Sequence, residues 1–550
     1  MLNSGKYQKY FLMLIYLILS IAMTAVINTK GIIWGGDDMV YHVGRLISLK
    51  SSFQNGVIIP NISSSNFGLI GYGINLFYPW ITLVPMVLIS MLVRDPITAY
   101  YVGLAFFMFA SFGISHYSMK RFSGSEKQAV IFSLIYSLAN FRLIDVFSRA
   151  DLAEYIATVF LPLAFLGFYE TFFHDYHKWP ILAAGMSLLL LSHVLTTVIV
   201  TFFFIVSLIF CWFMSHDYLA RIKAGLAAIV TAVLASAIFL FPFLAEISYQ
   251  SYQQPSPYVL KGKPFVKMFS ASLINDANRS LDGNIYNIGI VLLIALVLGI
   301  FFFKSFTKRY KAIYLLSVLS LWMVTDLFPW KIFQPTPLNV IQFPFRFLLI
   351  ATLLLSVVAT RIFTKVFASG TPKQSKFAIG ILGIVMLGLW TNSVNGALHK
   401  NYLTSPNQTI KQSSIKSKQI YEGYYEQYSP ASAQPHIKDI EAHVGYVDGQ
   451  KITFAPSSKG KDIQVTIPNL QKNVRVDLPM IKYRYSTVMI NHKPVKIQRS
   501  HRGTVSFKTT KNYSKAVIAV GYRISPLVWS SLIISLLTWI WILLELIFKD

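Results

Sequence analysis

Between Trp34 and Leu49 the chain reads W-G-G-D-D-M-V-Y-H-V-G-R-L-I-S-L. If Asp38 opens a helix, then Asp38, His42 and Arg45 fall on one face of it, and Gly35 and Gly36 permit the turn before it. A carboxylate, an imidazole and a guanidinium on one stripe can move a proton and hold an anion. The plainer alternative is an N-capping aspartate on a polar surface helix. Three later stretches carry similar chemistry: S-R-A-D-L-A-E-Y with Arg149, Asp151 and Glu154, L-L-S-H-V-L-T-T with His193, and I-Q-F-P-F-R-F-L with Arg346. Each has a structural alternative. Asp151 and Glu154 suit a helix start, His193 a satisfied core position, and Arg346 a snorkelling site at the end of a span.

The elements that must position these residues are membrane helices. The chain has 550 residues, 54% hydrophobic, 15% aromatic and only 13% charged, with a mean hydropathy of +0.53. A water-soluble globule of that length does not need so much apolar surface, so a polytopic membrane protein is expected. The single cysteine, Cys211, excludes an internal disulfide and a cysteine-based metal centre. A formal charge of +26 spread over loops points to anionic lipid and envelope polymer as partners, not nucleic acid.

Lys6 and Lys9 precede the apolar run Phe11 to Ile27, which reads as an uncleaved anchor leaving a cytoplasmic N-terminus. Residues 28–96 form a first external loop. Within it Tyr78 to Val93 is short and holds Pro79 and Pro85, so an interfacial helix is expected there. With that choice the short basic loops, Lys120-Arg121, Arg221 to Lys223 and Lys304 to Lys311, all fall inside. The apolar run Trp179 to Met214 is too long for one span and splits near His193. The expected architecture is about twelve spans with both termini cytoplasmic. Residues 1–392 form the membrane domain, 393–526 an external domain, and 527–550 a last span. In the external domain Ile463 to Ile467, Val474 to Leu478, Ser486 to Ile490, Thr504 to Thr509 and Ala516 to Tyr522 alternate as strands, which predicts a basic antiparallel β-sandwich.

On this topology Asp37, Asp38, His42, Arg45, Arg149, Asp151, Glu154, His193 and Arg346 all gather outside. Glu246 and Asp326 read as span-end anchors. No phosphate-binding glycine loop is present. A site facing outward has no nucleotide-sugar supply, so its activated substrate must be membrane-bound. A sugar on a lipid phosphate meets that need, and its transfer requires a carboxylate base and cations for the phosphate.

The order of these features resembles the GT-C superfamily of polyprenyl-phosphate-dependent membrane glycosyltransferases. More narrowly, G-D-D-M-V-Y-H-V-G-R-L, N-L-F-Y-P-W, S-R-A-D-L-A-E-Y-I-A-T-V-F-L-P-L, L-S-H-V-L-T-T and I-Q-F-P-F-R-F are similar to the bacterial YfhO-like family, also labelled 6-pyruvoyl-tetrahydropterin synthase-related membrane proteins. The label implies no pterin chemistry. The resemblance implies sugar transfer from an undecaprenyl-phosphate donor to a teichoic acid, another surface glycopolymer or a glycolipid. The family pattern sets its acid four residues before the histidine, which selects Asp38 over Asp37 as base. Many relatives carry Gly-Glu in the second loop, where this chain has Asp151 and Glu154, so either inherits that role. Arg346 and Arg45 would hold the lipid phosphate, and Asp37, His42, Arg149 and His193 would line the site. No cofactor is assigned; a divalent metal between Asp38 and Asp151 is compatible with the acids but lacks a defined ligand set. A lipid or polysaccharide transporter or flippase, and a non-catalytic scaffold that binds envelope polymer, are the competing readings. The first calls for mid-membrane charges and repeat symmetry, and the sequence offers neither.

Overall fold

Long apolar runs fold as helices because the bilayer leaves backbone groups no partner but each other. The computed structural model describes residues 4–253, 259–278, 286–399, 409–416, 425 and 427–548; the terminal Lys549-Asp550 pair and parts of the 246–286 and 393–526 segments lie outside them. Among the described residues eight helices are long and apolar enough to cross a membrane. There are nine if the bent pair Glu126–Ser137 and Asn140–Ser148 is one span. The difference from about twelve lies in Trp179–Leu190, Ile290–Phe302 and Lys308–Val324, which have 12, 13 and 17 residues. At ~1.5 Å per residue each falls short of a hydrocarbon core of ~30 Å. The run from Trp179 breaks as its length predicts: the helix stops at Leu190, and His193, in extended backbone, starts Val194–Cys211.

The first loop does not cross the bundle. Helix Ser4–Ile27 runs antiparallel to Pro96–Ser123: Tyr16 Oη meets His116 Nδ1 at 3.0 Å, while Tyr101 Oη donates to the Ile32 carbonyl at 2.8 Å. Residues 33–95 therefore begin and end at one end of the bundle, and Val84–Leu92 is a nine-residue helix within that layer. A helix of that length has too little reach to span.

The bend between Ser137 and Asn140 measures 44° and was not visible in the apolar pattern. Asn140 Nδ2 donates to the Asp276 carbonyl at 2.8 Å and to Asn287 Oδ1 at 2.9 Å, contacts made by a distant loop. Beyond it Ile144–Ser148 is π-helical, closed by Arg149 N on the Ile144 carbonyl at 2.8 Å. Single π turns of this kind re-aim side chains, here Asp145 and Arg149.

The second region is a sandwich of two antiparallel sheets. One has strand order β2 (Gln450–Thr453), β1 (Val444–Val447), β5 (Arg475–Ile481), β9 (Thr504–Lys508), β8 (Ile497–Arg499). The other runs β3 (Ser457–Lys459), β4 (Asp462–Leu470), β10 (Tyr513–Tyr522), β6 (Ser486–Ile490), β7 (Lys493–Val495). All five predicted strand runs are strands, because period-two alternation sends Ile463, Val465, Ile518 and Val520 from one sheet against Val476, Leu478, Val505 and Phe507 of the other. The sandwich sits on the first loop: Ile481 N donates to the Ile70 carbonyl and Tyr483 Oη accepts from Gly73 N, both at 2.8 Å. Glu246, expected as a span-end anchor, accepts from Arg484 N at 2.9 Å and so fastens the sandwich. The chain is a polytopic helical membrane protein with a β-sandwich on the face that carries residues 33–95.

Candidate active site

The helix Met39–Gln54 starts where its N-cap, Asp38, is tied to the second loop: Asp38 N donates to the Arg149 carbonyl at 2.9 Å. Gly36 makes this approach possible. Its φ is not positive, so the turn itself is not what requires glycine; a Cβ there would lie 2.5 Å from Ala150 Cβ and 3.0 Å from the Arg149 carbonyl carbon and oxygen. Ala150 holds a left-handed φ of 53°, a strained value for a non-glycine residue. That twist lets Arg149 and Asp151 converge on the same point.

Arg149 is the centre of the cluster. Its Nη1 lies 2.5 Å from Asp145 Oδ1 and 3.0 Å from Glu154 Oε1, and its Nη2 lies 3.1 Å from Asp151 Oδ2. Asp151 caps the helix Leu152–Phe173 by accepting from Glu154 N at 3.0 Å, and the same oxygen lies 3.3 Å from His42 Nε2. Glu154 Oε2 takes Arg346 Nε at 3.1 Å, while Arg346 Nη1 donates to the Ile341 carbonyl and to Gln342 Oε1. His193 Nδ1 pairs with Thr196 Oγ1 at 2.8 Å. The Tyr78 ring packs against both His42 and His193 and takes the Arg45 guanidinium 4.3 Å from its centroid.

His42, Arg149, Asp151, Glu154, His193 and Arg346 thus come together, with Asp38 beside them and half-buried Asp37 adding negative charge. Arg45 stands apart from this cluster. It is buried one ring away, donating to the Pro79 carbonyl at 2.6 Å, with Nε and Nη1 unpartnered. Arg346 is tied in through its Nε to Glu154 and through its Nη1 to the 341–342 turn. The pattern also passed over Asp145, whose place four residues before Arg149 inside an apolar run is the usual mark of a functional intramembrane charge.

These surroundings set protonation. Burial first, then the charge of Asp151, pushes the Asp38 carboxyl up to about 6 against the pull of Arg149 and His42. Burial alone would raise Asp151 too. The His42 hydrogen bond and the charge of Arg149 outweigh it and hold that carboxyl well below its ordinary range. Burial pushes His193 down to about 4, so it is neutral at physiological pH. Two neighbouring carboxyls driven apart in this way is the pattern of a base beside a permanent anion. Asp151, Glu154 and His193 each present a ligand atom within 4.8 Å of the others, a better cation set than Asp38 with Asp151. Both carboxylates already carry guanidiniums, which supply the positive charge a cation would bring.

The model of the 6-pyruvoyl-tetrahydropterin synthase related domain, described as a membrane protein, matches residues 77–397. The chain belongs to this family. The matched region contains Arg149, Asp151, Glu154, His193 and Arg346 and stops before the β-sandwich. One curated relative, an uncharacterized protein of Lactococcus lactis subsp. cremoris (strain MG1363), is 23% identical over 322 residues, 55% of this chain and 52% of that protein. The chain therefore spans about half the length of the curated relative it matches. Among solved structures, the arabinofuranosyltransferase AftD from mycobacteria aligns with a TM-score of 0.44 and 12% identity, over 70% of this chain and 26% of that one. ArnT from Cupriavidus metallidurans, bound to undecaprenyl phosphate, aligns with a TM-score of 0.36 and 11% identity, over 75% and 68%. Scores this low do not establish a shared fold.

Proposed function

We propose that this chain is a membrane glycosyltransferase that moves a sugar from a polyprenyl-phosphate carrier to an anionic envelope glycopolymer or glycolipid at the outer face of a bacterial plasma membrane. The observation that carries the reading is Asp38: a half-buried carboxyl held near 6, at the edge of a buried ionic cluster and under a basic β-sandwich. A base with that affinity is deprotonated at neutral pH yet still strong enough to take a hydroxyl proton in a transition state.

The acceptor hydroxyl gives its proton to Asp38 as its oxygen bonds to the anomeric carbon. The bond from that carbon to the carrier phosphate breaks, and the phosphate leaves with the electron pair, so the anomeric configuration inverts. Asp151, fixed by Arg149, holds His42 beside the base, and Glu154 holds Arg346. Lys120, Arg121, Lys223 and Lys304 at the opposite ends of the spans support this orientation, because the positive-inside rule puts them in the cytoplasm. Undecaprenyl phosphate is the natural carrier in a bacterium, and a teichoic acid would suit the basic sandwich. The test is analysis of envelope glycans in cells carrying Asp38→Asn: loss of one sugar modification at a normal protein level is expected, and unchanged glycans overturn the assignment. Labelling of Ser457→Cys from outside the cell checks the orientation, since a cytoplasmic Ser457 contradicts it.

A further inference from the structure

Transfer from a lipid phosphate needs a cation near the departing group, and the cluster's arginines are already engaged: Arg149 with three carboxylates and Arg346 with Glu154. A different cation sits on the rim. Lys263 is half-buried, and its Nζ lies 4.9 Å from the Tyr286 ring centroid and 5.4 Å from that of Phe345. The two rings stack at 3.6 Å, and the Arg149 guanidinium lies 5.2 Å from the Phe345 centroid. Lys263 and Arg149 therefore share one aromatic residue, which links the rim to the cluster.

The backbone fixes this lysine firmly. Lys263 N donates to the Val324 carbonyl at 2.8 Å, its own carbonyl accepts from Asp326 N at 2.9 Å, and Gly262 packs so close that a Cβ would lie 2.0 Å from the Thr325 oxygen. Among the described residues its ammonium has no hydrogen bond and no carboxylate partner. Burial and the neighbouring Lys261 push it down to about 8, as for a cation without an anion beside it. The rings desolvate one side of the ammonium and leave its N–H donors for a ligand.

The helix just beyond Lys263 points to the source of that ligand. Phe265–Leu273 is nine residues long, too short to span, and exposes Phe265, Val266, Phe269 and Leu273. An exposed apolar side on a short helix next to a span end belongs in the headgroup–acyl boundary, the depth at which a lipid phosphate lies.

We propose that Lys263 binds the phosphate of a polyprenyl-phosphate lipid that enters from the bilayer alongside helix Phe265–Leu273. This rests on the glycosyltransferase reading and names the phosphate contact within it. The test uses the full-length protein in nanodiscs, with undecaprenyl phosphate as probe and undecaprenol and inorganic phosphate as controls. Wild type is expected to bind undecaprenyl phosphate saturably and both controls far more weakly. Lys263→Ala should raise Kd by about tenfold or more, the loss of one charge-assisted contact. Lys263→Arg should stay within about threefold, because it keeps the charge. Lys261→Ala, at an exposed neighbour, should also stay within about threefold, because surface charge alone contributes little. Equal binding by wild type and Lys263→Ala overturns the inference and leaves the functional reading standing. Equal potency of inorganic phosphate overturns the lipid source. Wild-type binding of the phosphate no better than undecaprenol overturns the functional reading itself.

Discussion

Two buried arginines in this chain are built to different ends. In the β-sandwich Arg502 meets Asp477 with Nε at 3.1 Å and Nη2 at 3.3 Å, and its Nη1 takes the Val444 carbonyl at 3.0 Å. Thr504 donates its hydroxyl to the same carboxylate, so one cation and one anion close on each other. At the membrane site Arg149 faces three carboxylates at once, with a fourth, Asp38, alongside. Asp145 Oδ2 has no hydrogen-bond partner and Ala150 is strained. A closed pair holds structure together, whereas an acid-rich, incompletely satisfied cluster keeps charge available for chemistry.

The comparison breaks first at its centre. Arg149→Ala leaves three carboxylates in one buried space, and about 3–5 kcal/mol of stability should be lost, visible as a large fall in Tm together with loss of transfer. Arg502→Ala leaves one unpaired buried anion and should cost a similar ~3–5 kcal/mol. Transfer per folded molecule should nevertheless stay within about twofold, because an uncompensated anion in the sandwich weakens folding and leaves the membrane site untouched. Reduced turnover by correctly folded Arg502→Ala would put the sandwich in the catalytic machinery.

Gly36→Ala comes next. Its Cβ meets Ala150 Cβ at 2.5 Å. The loops must be pushed apart, which should lower stability by about 1–3 kcal/mol. The smallest effect is on Asp38 itself. Its folded value is raised from 3.8 to about 6, so the ionised carboxylate disfavours the folded state, increasingly as pH rises from about 4 to about 6. Asp38→Asn should therefore melt at or above the wild-type temperature at about pH 8, and the gap should close towards about pH 4. A lower melting point at about pH 8 would make Asp38 a stabilising cap.

Much of this was legible in the residues, because spans and strands are set by local periodicity. Ile463 to Ile467 and Ala516 to Tyr522 alternate whatever surrounds them, and the apolar run from Trp179 exceeds any single span. The bend at Asn140 was hidden because its partners, Asp276 and Asn287, are 136 and 147 residues away in the chain. That bend is what delivers Asp145 to the cluster. Residue types alone marked Arg346 and Arg45 as cations for phosphate. The structure adds their partners, Glu154 for Arg346 and backbone carbonyls for Arg45, and neither is readable from spacing. Lys263 gave no signal at all, since a lysine before a proline in a polar loop reads as solvated.

The central claim is that Asp38 is the base, and the pH dependence of sugar transfer tests it most directly. With its carboxyl held near 6, the wild-type rate should rise as pH passes through about 6 and level off above it. Asp38→Asn in the same membranes should be slower by about 10²–10⁴-fold and show no such rise. A variant that transfers sugar at the wild-type rate, with the rise intact, contradicts the account.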